Sequence, residues 1–271
     1  MKVKTKQKVY AVGIGPGDLE HMTIKAYEAI KKSEVIVGYK TYIKLIEPLI
    51  KNKEVISLGM KREVDRCKKA LEYASKGKTV SIVSSGDVGI YGMAGILLEI
   101  ANKDGYLDKI DIEVVPGVTA SSASASSLGA PIMHDYISIS LSDLLTDWDL
   151  IQKRLHCAGE GDFVVCIYNP KSKGRKEHIK KSRDILLKYK EKNTKVGIVK
   201  NAKRDGESLQ ITTLEDMLNY EIDMFTTIII GNSMTYKIMD ELNNKERLIT
   251  PRGYNLGDVN YDMDDSRHKG C

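Results

Sequence analysis

The sequence predicts an α/β protein of two α/β domains, a mostly parallel sheet in the N-terminal one and a mixed sheet in the C-terminal one. Short apolar runs alternate with helix-period segments through the first half, the pattern that helical crossovers between parallel strands produce. The stretch 79–95, TVSIVSSGDVGIYGMAG, reads as buried strand, glycine loop and helix start, the place where open α/β sheets bind small molecules. After Gly129-Ala130-Pro131 the chain resumes with an alternating strand, YISISL, and later runs pair strands with shorter helices. The expected domains are 1–130 and 131–254, followed by a polar, disordered tail over 255–271.

In the first half, an apolar strand over 9–13 runs into Gly13-Ile14-Gly15-Pro16-Gly17-Asp18. A helix follows from Thr23, whose hydroxyl can cap its first turn, with Ile24, Tyr27 and Ile30 at helical spacing. Strands are expected over 35–37, 55–58, 80–83 and 111–115, and helices over 39–50, 62–76 and, rich in small residues, 121–128. In the second half, strands are expected over 136–141, 162–168, 195–199 and 226–230, and 207–212 can pair antiparallel. Helices are expected over 148–155 and 178–189, with a short one from 214 to 217. Arg204-Asp205-Gly206 reads as a turn.

Composition narrows the function classes. With 271 residues, 42% hydrophobic and 29% charged, the chain can build a real core under a soluble surface. No apolar run approaches the length of a membrane span, and the start lacks a secretory leader, so a cytoplasmic protein without a membrane partner is expected. The net charge of +5 with two Phe and one Trp argues against a nucleic-acid partner. The cysteines and histidines show no metal-ligand spacing, so no metal site is expected. The first glycine loop ends Gly-Asp-Leu rather than Gly-Lys-Ser, which excludes a P-loop. Asp18 stands where a dinucleotide fingerprint needs glycine and Pro16 removes a donor, although Glu34 at the ribose offset keeps a nicotinamide reading open.

Four loops taken together resemble one family. Gly13-Ile14-Gly15-Pro16-Gly17-Asp18, Ser85-Gly86-Asp87, Val115-Pro116-Gly117-Val118-Thr119-Ala120 and Ile229-Ile230-Gly231-Asn232 are similar, in order and separation, to the loops of the tetrapyrrole methylases. GDVGIYGMAG, the run from GVTASSASASS to LTDWDLI, and IYNPKSKGR resemble the branch that methylates C17 of a corrin precursor and contracts its ring. The resemblance implies two α/β domains with a cleft between them, S-adenosylmethionine as methyl donor, a tetrapyrrole substrate and a homodimer. It places Pro16, Gly86, Asp87, Val88, Ile90, Thr119, Ala120, Asn169, Ala202 and Thr226 at the donor, with Asn169 standing where relatives often carry methionine. C11- or C20-directed methylases are the alternatives within the family, and the sequence does not decide whether the ring carries cobalt.

The chemistry agrees with such a site. A sulfonium methyl is already activated, so the protein needs alignment and water exclusion rather than a nucleophile. Ring contraction asks for acid/base help, for which Asp18 and His134 are the candidate catalytic residues. Lys171, Lys173 and Arg175, beyond a strand end, are the candidates for the substrate's carboxylates, although a solvated basic loop explains them equally well.

Overall fold

The computed structural model describes residues 7–255; residues 256–271, nearly all of the expected tail, lie outside the described residues. The chain divides into two compact units. One runs to Ala123 and includes Asn201–Glu207; the other comprises Ser124–Lys200 and the chain from Ser208.

The first unit is a parallel sheet of β1 (Gln7–Gly13), β2 (Val35–Tyr39), β3 (Glu54–Leu58), β4 (Val80–Ser84) and β5 (Ile110–Val115), in the order β3-β2-β4-β1-β5. Helices α1 (Ile24–Lys32), α2 (Lys40–Leu45), α3 (Glu47–Ile50), α4 (Glu63–Ser75) and α5 (Ala94–Lys103) connect the strands. Strand side chains alternate between two apolar layers. Val9, Ala11, Val35, Val37, Val80 and Ile82 pack with Leu71 of α4 and Leu97 of α5. Val12, Ile36, Val83 and Val115 pack with Ala26 and Ile30 of α1. As expected, Thr23 caps α1, its hydroxyl accepting from Ala26 N at 3.1 Å.

This order creates a switch point. The chain leaves β1 toward β2, passing β4, and leaves β4 toward β5, passing β1 in the other direction. The loops that follow β1 and β4 therefore run toward and across one another at the carboxyl ends of these strands, where such sheets place their binding loops.

Helix α6 (Ala120–Leu128) begins in the first unit and ends in the second, followed by the short β6 (Gly129–Ala130). The second unit's main sheet joins β7 (Tyr136–Ser140), β8 (Val164–Tyr168), β9 (Lys195–Lys200), β10 (Ser208–Thr213) and β11 (Thr226–Ile230) in the order β10-β9-β11-β8-β7. It is mixed: β7 and β8 run parallel, and the other pairs run antiparallel. Helices α7 (Trp148–Glu160) and α8 (His178–Leu186) bury Leu155, Ile179 and Leu186 against Ile139, Ile167, Ile198 and Ile228. A hairpin of β12 (Tyr236–Asp240) and β13 (Lys245–Ile249) forms a small sheet with β6.

Local expectations fail in three places. The helix over 39–50 is interrupted at Ile46, because Pro48 has no N–H to continue a helix and instead sits in the first turn of α3. The helix expected over 214–217 is a single 3₁₀ turn at Met217–Asn219. The hairpin of β12 and β13 was not anticipated: KIM in β12 is exposed on both faces, so no apolar alternation marks it.

One buried cation ties the second unit together. The Lys190 side chain is 1% exposed, and its ammonium donates to Asp162 Oδ1 at 3.1 Å and to Phe163 O at 2.9 Å. Asp162 also accepts from Ser233 N at 3.1 Å and from Ser233 Oγ at 2.5 Å. Burial pulls the Lys190 ammonium below its ordinary range, and Asp162 opposes that shift. Asp162→Ala leaves a buried charge short of its counter-ion, a loss of about 3 kcal/mol. Thermal melting should show Tm falling by roughly 6–12 °C; an unchanged Tm would mean that the lysine finds water instead.

Candidate functional site

Strands β4, β1 and β5 are neighbours, so the loops that follow them leave one sheet edge side by side. Gly15 and Gly86 face each other: Gly86 N donates to Gly15 O at 2.7 Å and Gly15 N to Gly86 O at 3.1 Å. Asp87 closes the third side, with Oδ2 accepting from Gly117 N at 2.9 Å and Oδ1 from Gly89 N at 2.7 Å. Main chain lies on main chain here. A Cβ at Gly117 would stand 2.3 Å from Gly86 O and 2.6 Å from Gly13 O. A Cβ at Gly13 would stand 2.7 Å from Gly117 N. Both carboxylate oxygens of Asp87 thus hold backbone, which gives this expected donor-loop residue a shaping role.

The rim above this contact is bare. Gly86 has φ +68, and a Cβ there would meet only ordinary contacts, 3.8 Å from Ala120 N and from Thr119 Cα. Around Gly95 nothing lies within 4 Å of a Cβ. Val88 turns its side chain fully into the core, and its carbonyl accepts from Ala94 N at 3.0 Å; Ile90 and Tyr91 are exposed. Val88 is thus withdrawn from the surface altogether, whereas Ile90 offers its side chain.

Asn201–Glu207 supplies a fourth wall of the same unit. Lys203 O accepts from Asp18 N at 3.3 Å, and a Cβ on Gly17 would fall 2.1 Å from that carbonyl. The Arg204 guanidinium donates through Nε to Pro16 O and through Nη2 to Ser85 Oγ at 2.5 Å. Ala202, expected at the donor, is nearly buried beside it.

Asp18, on the first loop, pairs with His21: Asp18 Oδ1 lies 2.5 Å from His21 Nδ1 and accepts from His21 N at 3.1 Å. Partial burial pushes the Asp18 carboxyl up. The hydrogen bonds and charge of His21, with Lys203 nearby, outweigh this and hold it below the usual carboxylate range. His21 belongs to no metal-ligand pair in the sequence, yet it stands three residues after Asp18, one turn of chain away, and that spacing is the signal for this couple.

The remaining candidates lie in the second unit. Thr226 is buried, and its hydroxyl closes its own turn, accepting from Asp223 N at 3.1 Å and donating to Asp223 Oδ1 at 3.0 Å. Asn169 holds φ +51 and donates from Nδ2 to Ser140 Oγ at 2.9 Å. Arg175 is 8% exposed; its Nη2 donates to Asn169 O at 2.9 Å and its Nη1 lies 3.7 Å from Asp143 Oδ1. Asp143 in turn meets His178 Nε2 at 2.9 Å, and the Trp148 ring packs on that imidazole with centroids 4.0 Å apart. Lys171 is half-buried and Lys173 is exposed. His134 accepts from the adjacent Asp135 N at 2.7 Å. The structure thus gathers Pro16, Asp18, Gly86, Asp87, Thr119, Ala120 and Ala202 in the first unit, and it holds Asn169 and Arg175 together in the second. The pairing of Asp143 with His178, 35 residues apart, left no signal in the sequence.

A folded-state pKa held below the ordinary 3.8 means that Asp18 contributes stability above that pH and loses it as pH falls through the folded value. The side chain is 49% exposed, so screening keeps the contribution under about 1 kcal/mol. Asp18→Asn should melt about 1–3 °C below the parent at pH 7, and the gap should close as the pH drops below 3.8, as followed by melting across a pH series.

Comparison with known proteins agrees with this architecture. A family model for tetrapyrrole (corrin/porphyrin) methylases matches residues 8–218. The cobalt-factor III methyltransferase of Priestia megaterium is 49% identical over 92% of the chain, which spans 45% of that larger protein. The probable cobalt-factor III C(17)-methyltransferase of Salmonella typhimurium is 50% identical over 90% of this chain and 98% of its own. The crystal structure of the methyltransferase CobJ superposes with a TM-score of 0.82 at 31% identity, covering 90% of this chain and 99% of that one. With the parallel sheet and its glycine loops in place, these matches show that the chain belongs to the tetrapyrrole methylases.

Proposed function

We propose that the protein transfers a methyl group from S-adenosylmethionine to C17 of a cobalt-carrying corrin precursor, cobalt-factor III, and contracts the macrocycle in the same site. The substrate is that named for relatives about half identical to this chain. The observation that carries the reading is the bare main chain around Gly86 and Gly95, where added side-chain atoms would meet only ordinary contacts or none. That edge fits a flat adenosine and a sulfonium: it offers backbone, the exposed Ile90 side chain and no nucleophile. The nicotinamide alternative is not favoured, since Arg204 takes the Pro16 carbonyl and Asp18 replaces the third glycine of the fingerprint.

The donor supplies an activated methyl; the protein supplies position. Glycine loops locked to one another hold the rim rigid, and alignment of this kind is worth up to about 7–11 kcal/mol. Asp18 and His21 form the carboxylate–imidazole couple on this rim that can take or return a proton during contraction. His134, after the Gly-Ala-Pro break, and the basic Lys171 and Lys173, beyond a strand end, remain part of the proposal on their places in the sequence. A homodimer rests on the resemblance and a cytoplasmic setting on the composition; among the described residues no helix is long and apolar enough to cross a membrane.

Incubation with methyl-labelled donor and cobalt-factor III, followed by mass spectrometry and NMR, should yield one added methyl at C17 on a contracted ring. Methylation at C11 or C20, or no transfer, would overturn the assignment. Gly86→Val should weaken S-adenosylhomocysteine binding about tenfold or more, because its φ opposes a branched residue and the side chain would stand in the open space left for the donor. Asp18→Ala should lower turnover about a hundredfold while leaving that binding near the parent value.

A further inference from the structure

Arg204 lies outside every role assigned so far, and its surroundings are unusual. It is half-buried at the rim, and its neighbours are the Pro16 carbonyl, the Ser85 hydroxyl and the phenol of Tyr42. No carboxylate pairs with it among the described residues, and its Nη1 has no hydrogen-bond partner among them. Burial pulls it below its ordinary range, with only the Tyr42 phenol opposing. A guanidinium withdrawn from water without a counter-ion is costly, and proteins normally pair it.

The backbone makes a large accommodation to put it there. Asn201, Lys203 and Gly206 hold φ +53, +57 and +74, so two non-glycine residues adopt the left-handed conformation within this short segment. Gly17 has no side chain where Lys203 O would collide with one. Such strain is retained where it places a functional group. A turn alone would need neither.

We propose that Arg204 is a carboxylate receptor of the rim, its free Nη1 edge taking a carboxylate from one of the two bound molecules. The inference rests on the methyl-transfer reading, in which both candidates carry that group: the amino-acid end of the donor, and the acetate and propionate arms of the macrocycle. Guanidinium and carboxylate match in a planar, charge-assisted pair. The hydrogen bonds to Pro16 O and Ser85 Oγ orient the fork and leave the ion pair for the ligand.

Calorimetry on the parent, Arg204→Gln and Arg204→Lys decides it, using S-adenosylhomocysteine, 5′-methylthioadenosine (which lacks the amino-acid end) and cobalt-factor III as probes. Thermal melting accompanies each variant, and the lysine form keeps the charge if the glutamine form does not fold. If the donor's carboxylate is bound, Arg204→Gln should lose about tenfold or more in affinity for S-adenosylhomocysteine, Arg204→Lys less, and neither any for methylthioadenosine. If a macrocycle arm is bound, the same loss appears for cobalt-factor III and the donor analogue is unaffected. Equal affinities in parent and variants for every probe would overturn the assignment alone. A parent that binds no probe would overturn the methyl-transfer reading, and the assignment with it.

Discussion

The close contact of three main-chain loops is the constraint on which the rest of the first unit depends. Around Gly13 and Gly117, main-chain groups of the neighbouring loops, the Gly86 carbonyl among them, stand where a Cβ would be. Sheet order makes this contact available, since β4, β1 and β5 are adjacent and parallel. Asp87 then satisfies the half-buried Gly117 amide that the crossing would otherwise strand, and an unpaired buried amide costs about 1–3 kcal/mol. Rigidity at the rim follows from these facts together. A loop built of longer residues would stand away from its neighbours and require side chains to fill the space.

That constraint explains the division of labour among the residues around it. Groups that hold the loops, such as Asp87 and the buried Val88, use their polar or apolar capacity on the protein itself. Groups with capacity left over lie just beyond. Asp18 and His21 share one proton site on one flank of Gly17, and Arg204 lies against Pro16 on the other. Charge of both signs therefore borders a stretch of neutral backbone, an arrangement suited to a ligand with an uncharged body and ionised ends.

Much of this was legible in the sequence because it is local. A buried strand, glycines and the onset of a helix lie within 79–95, and β4 and α5 form there. Thr23 caps α1 through a residue three positions on. What the sequence concealed is long-range. Arg204 read as part of a turn because nothing within a few residues explains it; its partners are 188 and 119 positions away. The hairpin of β12 and β13 is joined to β6 by two residue pairs, and β12 itself shows no apolar alternation. At Ile46 the opposite happened: apolar spacing continued through 39–50, and the missing N–H of Pro48 overrode it.

The two arginines show why composition could not settle which cation serves a ligand. Arg175 follows a strand end in a basic run and looked the better candidate, yet it is the more committed: Asp143 stands 3.7 Å away, and Asn169 O takes its Nη2. Its Nε is buried and has no hydrogen bond among the described residues, so little of that fork is within reach of another molecule. It braces the loop after β8 against Asp143 and, through Asp143, against His178. Arg204 has the reverse profile, with neutral partners, an open edge and, among the described residues, no acid. A surface charge of either kind adds equally to the net of +5. Only the identity of the neighbours separates a cation whose field is already cancelled from one whose field still reaches into the site.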